Sequence, residues 1–220
     1  GLVHGDINPH NVMLDADGDV KLLDLGLVHT FDPVQNATHT SPPQYQGFPF
    51  YMSPEHVKDP TALTPQSDMY SLGAVLYNML TGKVPFAELS PIEVLTSQVN
   101  GTLPHPRDLN PAVSQGAGYI VSRLMMKDPA HRYADWTDAL QDLEKLERTG
   151  VLVRSLPQDA TGTIAPQTSS MPAAAGGGRR TPGKRTAKSP VRHPSAIPHV
   201  LAWLVLLVLW VYTALVLVCY

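Results

Sequence analysis

Between residues 151 and 198 the chain offers little material for a hydrophobic core, and this limits what it can fold into more than any other feature. Residues 151–198 are rich in Pro, Gly, Ser, Thr and Ala and include the run Ala173-Ala174-Ala175-Gly176-Gly177-Gly178. Such a composition buries too little apolar surface to offset the chain entropy lost on ordering. It is expected to be a disordered linker. After Asp159 it has no acidic residue, while Arg179, Arg180, Lys184, Arg185, Lys188 and Arg192 make it basic. Residues 200–219 then carry no charge. A helix of about 20 residues spans roughly 30 Å, the thickness of a bilayer core. The expectation is one transmembrane helix over 199–220, with the basic cluster and everything before it on the cytoplasmic side. The rival reading, a buried core helix, leaves nothing to bury it. The folded part is thereby confined to residues 1–150.

The net charge of −3 over 220 residues gives no sign of a nucleic-acid partner. Cys219 is the only cysteine, which excludes an internal disulfide and a cysteine metal cluster and suits a reducing compartment. The chain begins at Gly1 with no cleavable signal, and it is expected to be a fragment whose N-terminal portion is missing.

Within residues 1–150, short apolar runs at 12–14 and 20–23 flank Asp15-Ala16-Asp17-Gly18, the pattern of a β-hairpin. Residues 29–50 are rich in Thr, Pro and Gln and read as a long loop. Thr64-Pro65 opens a helix carrying Met69, Leu72, Val75, Leu76, Met79 and Leu80 at helical spacing and closing at Gly82. Ser90-Pro91-Ile92-Glu93 is a capping-box pattern for a second helix. Asn110-Pro111 is expected to cap a third, running to about Lys127. A fourth is expected from about Asp135 to Arg148, with Trp136, Leu140, Leu143 and Leu146 on one side. The fold class is α+β: a mainly helical lobe with a small β-hairpin.

Chemistry concentrates at the start of the chain. Asp6 and Asn11 lie five residues apart, and Asp24 follows the second hairpin run. Transfer of a phosphoryl group needs a carboxylate to hold the acceptor hydroxyl, oxygen ligands for Mg²⁺, and positive charge near the transferred group. Asp6 suits the first role, and Asn11 with Asp24 the second.

In order, the motifs resemble the C-terminal lobe of eukaryotic-type serine/threonine protein kinases, particularly the bacterial membrane-bound ones. "HGDINPHN" at 4–11 is similar to the catalytic loop H-R-D-x-K-P-x-N, "DLG" at 24–26 to D-F-G, and "GFPFYMSPE" at 47–55 to the end of the activation segment. "SDMYSLGAVLYNMLTGKVPF" at 67–86 resembles the central helix, and "KDPAHRY" at 127–133 the late K-D-P-x-x-R. The resemblance covers residues 1 to about 148. It implies ATP and Mg²⁺ as cofactors, a protein hydroxyl as acceptor, Asp6 as the catalytic carboxylate, and Asn11 and Asp24 as metal ligands. It implies structural roles for four others. His4 supports the loop, Asp68 accepts backbone N–H groups from it, and Glu55 pairs with Arg132. His10, His29 and His39 read as solvated loop residues.

Three positions depart from the family. Gly5 replaces the Arg that binds a phosphorylated activation loop, although Thr38, Thr40 and Ser41 remain candidate phosphosites. Asn8 replaces the Lys beside the transferred phosphate, and Phe48 replaces the Thr that bridges that Lys to the catalytic Asp. Two members of one contact set have changed together, so either the site is rebuilt or catalysis is relaxed. The leading expectation is a membrane-anchored serine/threonine protein kinase. The alternatives are a pseudokinase serving as a signalling or scaffold module, and a small-molecule phosphotransferase, whose loops commonly share the Gly and lack the Lys. The latter enzymes do not carry a segment ending in Pro-Glu.

Overall fold

A computed structural model describes residues 2–17, 19–24, 48–156 and 162–165, with the backbone of 29–30. Thr30 pairs with Leu2 and His29 with Val3, joining strand β4 (His29–Thr30) antiparallel to β1 (Leu2–Val3). The expected hairpin is present: β2 (Val12–Leu14) and β3 (Val20–Leu22) pair antiparallel, with Val12 opposite Leu22 and Leu14 opposite Val20. Asp15 shapes the turn, accepting hydrogen bonds from the backbone N–H of Asp17 and Asp19.

Helices form the body. Helix α1 (Pro54–Lys58) is capped by Ser53, whose hydroxyl accepts from His56 N–H. Helix α2 (Pro65–Thr81) starts at a capping box of Thr64 and Ser67 and ends at Gly82, with φ 72°. That left-handed turn suits glycine. Residues 67–77 of α2 are all buried, so the helix is the axle of the lobe. Helix α3 (Pro91–Asn100) begins at the expected capping box of Ser90 and Glu93. Short α4 (Pro106–Leu109), α5 (Gln115–Leu124) and α6 (Trp136–Thr149) follow. The apolar faces of α2, α5 and α6 meet in one core through Leu72, Leu76, Ile120, Leu124, Leu143 and Leu146.

Several expectations are corrected. The third long helix opens at Gln115, not at Asn110-Pro111: Ser114 is its cap, accepting from Ala117 N–H at 3.1 Å, and it ends at Leu124 rather than Lys127. Asn110 instead shapes its own turn by accepting from Ala112 N–H, and donates to Leu80 O at the end of α2. The stretch 29–50 is not wholly irregular, since it holds β4 and the start of a 3-10 turn at Pro49–Tyr51. Strand β4 is stabilised by a partner far away in sequence, which no local pattern reveals.

The linker expected from residue 151 is corrected at its beginning. Leu152 is buried in the core, and Thr163 and Ile164 are buried against the lobe. Arg154 pairs with Asp142 at 2.9 Å. An average over 48 residues hides a few apolar side chains that find a complementary surface. Residues 157–161 and 166–198, Thr38, Thr40, Ser41 and the apolar run expected as a transmembrane helix at 199–220 lie outside the described residues. Among the described residues no helix is long and apolar enough to cross a membrane.

Gly73 of α2 packs directly against the end of α5. A β-carbon there would sit 2.7 Å from Met125 Cγ and 2.9 Å from Leu124 Cβ. Gly73→Ala is expected to cost about 1–3 kcal/mol through overpacking, read as a lowered denaturant midpoint with an unchanged slope.

Candidate active site

The loop at 4–11 is held from below by α2. Asp68 is buried, and its carboxylate accepts from His4 N–H at 2.7 Å and Gly5 N–H at 2.9 Å. Burial pushes its pKa up to about 6, opposed by those two donors. Gly5 has φ 79°, a conformation that glycine adopts without strain. The ring of His4 is also buried. Its Nδ1 accepts from Asp6 N–H at 3.2 Å, which leaves Nε2 as the donor to Leu23 O at 3.0 Å. His4 therefore spans from the loop to the end of the hairpin. Ile7 anchors the loop in the core.

Asp6 is held by two amides. Asn8 Nδ2 donates to Asp6 Oδ1 at 3.0 Å, and Asn11 Nδ2 donates to Asp6 Oδ2 at 3.0 Å. Both amides also donate to the Asp6 backbone carbonyl. Asn8 is buried, and its Oδ1 caps the 3-10 turn Pro9–Asn11 by accepting from His10 N–H. Because each carboxylate oxygen accepts only one of these amide bonds, lone pairs remain for an incoming hydroxyl.

Asp24 lies two residues beyond β3. Its neighbour Leu23 is fixed from both sides, donating to Asn11 O at 2.7 Å and accepting from His4. Asp24 itself has φ 61°, a left-handed conformation that a non-glycine residue holds only when its surroundings impose it. The chain is thus turned sharply where the carboxylate is needed. Asn11 Nδ2 is committed to Asp6, so its Oδ1 is the atom left for a metal, and no described residue donates to it. An amide oxygen and a carboxylate are hard ligands suited to Mg²⁺, which takes few protein ligands and completes its shell with phosphate oxygens and water. Asn11 and Asp24 fit that role. No trio of His, Cys, Asp or Glu among the described residues suits a metal.

Phe48 stacks on His10, with ring centroids 4.7 Å apart and planes 11° apart. It forms one wall of a shallow recess that includes Gly5, Asp6, Met52 and His56. The segment after it is anchored by buried Tyr51 and Met52.

Glu55 and Arg132 close the back of this segment. The Arg132 side chain is fully buried, and each of its five N–H groups has an acceptor. Nη1 donates to Glu55 Oε1 and Gln66 O, both at 2.6 Å, and Nη2 to Glu55 Oε2 at 2.8 Å and Lys127 O at 3.2 Å. Nε donates to Met126 O at 2.8 Å. Burial alone would raise the Glu55 pKa, but the Arg132 hydrogen bonds and charge, with the Ser67 hydroxyl, hold it below the usual value.

The structure therefore gathers Asp6, Asn8 and Asn11 into one cluster, fastens it through His4, Gly5 and Asp68, and places Asp24 and Phe48 beside it. Glu55 and Arg132 lie behind, joined to each other. What sequence reasoning missed is that Asn8 and His10 take up contacts. Asn8 stood out only as the loss of a lysine, while His10 is exposed as expected and in addition stacks on Phe48. The signal that could have found them is the Asn-Pro pair at 8–9, a turn-capping pattern that aims the Asn side chain inward.

The family model for the protein kinase domain matches residues 1–143. The chain is 34% identical to the serine/threonine-protein kinase PrkC of Bacillus subtilis over 143 residues, covering 65% of this chain and 22% of PrkC. It is 37% identical to the serine/threonine-protein kinase PknL of Mycobacterium tuberculosis over 146 residues, covering 66% of this chain and 36% of PknL. Against the DNA damage-responsive serine/threonine-protein kinase RqkA of Deinococcus radiodurans it is 39% identical over 127 residues, covering 58% of this chain and 19% of RqkA. The chain thus spans roughly a fifth to a third of the length of these relatives.

Removing Arg132 strands a partly buried carboxylate and the carbonyls its guanidinium serves, so Arg132→Met is expected to cost about 3 kcal/mol. Since the folded pKa of Glu55 is depressed, its contribution is fully present above the unfolded value of about 4.3 and is lost as pH falls through the folded value. Denaturant titrations should show wild-type stability falling below about pH 4.3, and Glu55→Gln with a flatter profile there.

Proposed function

The chain belongs to the protein kinase domain family, and on that premise we propose that it carries the phosphoryl-transfer loop of a membrane-anchored serine/threonine protein kinase. The observation that carries the reading is the grip of Asn8 and Asn11 on the two oxygens of Asp6. A carboxylate held this way can accept a hydrogen bond from a serine or threonine hydroxyl, aim its oxygen at the γ-phosphorus of ATP and take up its proton as the new O–P bond forms. Asn11 Oδ1 and Asp24 would hold Mg²⁺. The metal, when bound, neutralises charge on the ATP phosphates.

The departures support a rebuilt site over a relaxed one. Asn8 stands where a charged Lys is usual and brings no charge, but it does bond Asp6 directly. Phe48 stands where Thr is usual and packs on His10 of the same loop. In a pseudokinase nothing would require a buried Asn to hold Asp6, and this contact weighs against that reading. The segment ending at Glu55, tied down by Arg132, supports a protein acceptor over a small molecule. Single-pass membrane attachment rests on the uncharged run 200–219 and the basic residues before it.

Three outcomes test this with the full-length protein. With Mg²⁺ and labelled ATP, Asp6→Asn should lower kcat by about 10²–10⁴-fold, and equal incorporation in variant and wild type would overturn the assignment. Asn8→Ala should lower kcat about tenfold, as expected for losing a hydrogen bond to a charged group, with KM for ATP unchanged. The protein should sediment with membranes after carbonate washing, and deletion of 199–220 should release it.

A further inference from the structure

We propose that the lobe carries a groove, remote from Asp6, that binds an extended segment of small, threonine, aliphatic and small residues. Its occupant is residues 162–165 of this chain, and docking there stiffens the backbone at 49–50. The groove lies between Leu103, which precedes α4, and Met125–Met126, which follow α5. The segment Gly162-Thr163-Ile164-Ala165 enters as an added strand. Leu103 N–H donates to Thr163 O at 2.6 Å, Thr163 N–H to Met125 O at 3.2 Å, and Ala165 N–H to Leu103 O at 2.8 Å. Leu103 and Ile164 form a parallel bridge, and Met126 and Gly162 an antiparallel one. Thr163 is 0% and Ile164 5% exposed. A β-carbon on Gly162 would sit 3.3 Å from Ile164 O of the same segment and in van der Waals contact with Met126 Sδ of the groove at 3.5 Å.

Main-chain bonds give such a site its affinity, and the buried side chains select the occupant. Thr163 does more than fill space. Its Oγ1 lies 3.2 Å from Tyr70 Oη, and Tyr70 Oη lies 2.7 Å from Gln98 Oε1. A carbonyl oxygen only accepts, so the Tyr70 proton points at Gln98 and Thr163 must donate to Tyr70. Gln98 Nε2 in turn donates to Pro49 O at 3.0 Å and Phe50 O at 2.8 Å. Three side chains, each donating to the next, run from the docked segment to the carbonyls of the turn beside Phe48. Tyr70 and Gln98 are fully buried, so the bonds lie in a medium that strengthens them and makes their loss costly. Lys127 Nζ donates to Ser97 O and Gln98 O, which keeps Gln98 from following a displaced partner.

The functional consequence rests on reading the turn at 49–51 as part of the acceptor platform, whereas the exchange measurement below does not. In the full-length protein, Ile164→Asp should expel the segment. Hydrogen exchange at the amides of Leu103, Thr163 and Ala165 should then speed up at least about tenfold, and exchange across 48–52 roughly fivefold, as loss of about one hydrogen bond predicts. Thr163→Val keeps the shape and removes only the hydroxyl. It should leave those three amides protected and speed exchange at 48–52 alone. Both variants should raise KM for the protein acceptor and leave KM for ATP unchanged. Unchanged exchange at the three amides in Ile164→Asp would overturn the groove. Their loss of protection without any change at 48–52 in either variant would overturn the coupling. Altered exchange at 48–52 with no phosphoryl transfer in any form would instead count against the kinase reading and leave the groove standing.

Discussion

A guanidinium without water must find an acceptor for every N–H, and Arg132 does so with bonds that reach three separate parts of the lobe. Glu55 belongs to α1, Gln66 O to the first turn of α2, and Met126 O and Lys127 O to the chain after α5. The planar fork admits one arrangement of those groups, because shifting any of them leaves a buried donor unpaired. Asp68 lies two residues from Gln66 on the helix so fixed, and it carries the loop that presents Asp6. The position of the Asp6 carboxylate is therefore set at second hand by a residue far from it in sequence.

The two buried charged anchors divide the labour. Arg132 with Glu55 is a neutralised pair that positions elements. Asp68 is a lone carboxylate satisfied by two backbone N–H groups, and it positions a loop. Around Asp6 itself the work is done by neutral amides. Asn8 and Asn11 orient the carboxylate without adding charge, so its negative character is available to an incoming hydroxyl.

The buried run from Thr163 through Tyr70 and Gln98 shows the same economy. Polar side chains in the core of α2 and α3 are tolerated because each donates to the next until the last reaches a backbone carbonyl. The cost of burying them is offset only while the whole run is complete, which makes its far end sensitive to what occupies its beginning.

Much was legible locally. The hairpin, the Thr64 cap of α2, the capping box of α3 and the Gly82 stop are written in adjacent residues, since turn and cap chemistry is short-range. The motif order pointed to Asp6, Asn11, Asp24, Asp68, Glu55 and Arg132. What local pattern misjudged depended on distant partners. Asn110-Pro111 looked like a cap, yet Ser114 was better placed and Asn110 was drawn to the end of α2. Composition assigned 151–198 to a disordered linker, yet Leu152 and Ile164 found apolar surface. Residue types and their spacing determined by themselves which groups could do the chemistry. Only the tertiary structure decided that Asn8 grips Asp6, that His10 carries Phe48, and that a segment at 162–165 belongs to the lobe. Asn8 meets Asp6 through the turn of a single loop, but the other two contacts need separate stretches of chain to come within hydrogen-bonding or van der Waals distance, and that proximity is a property of the packed core, not of any window of sequence.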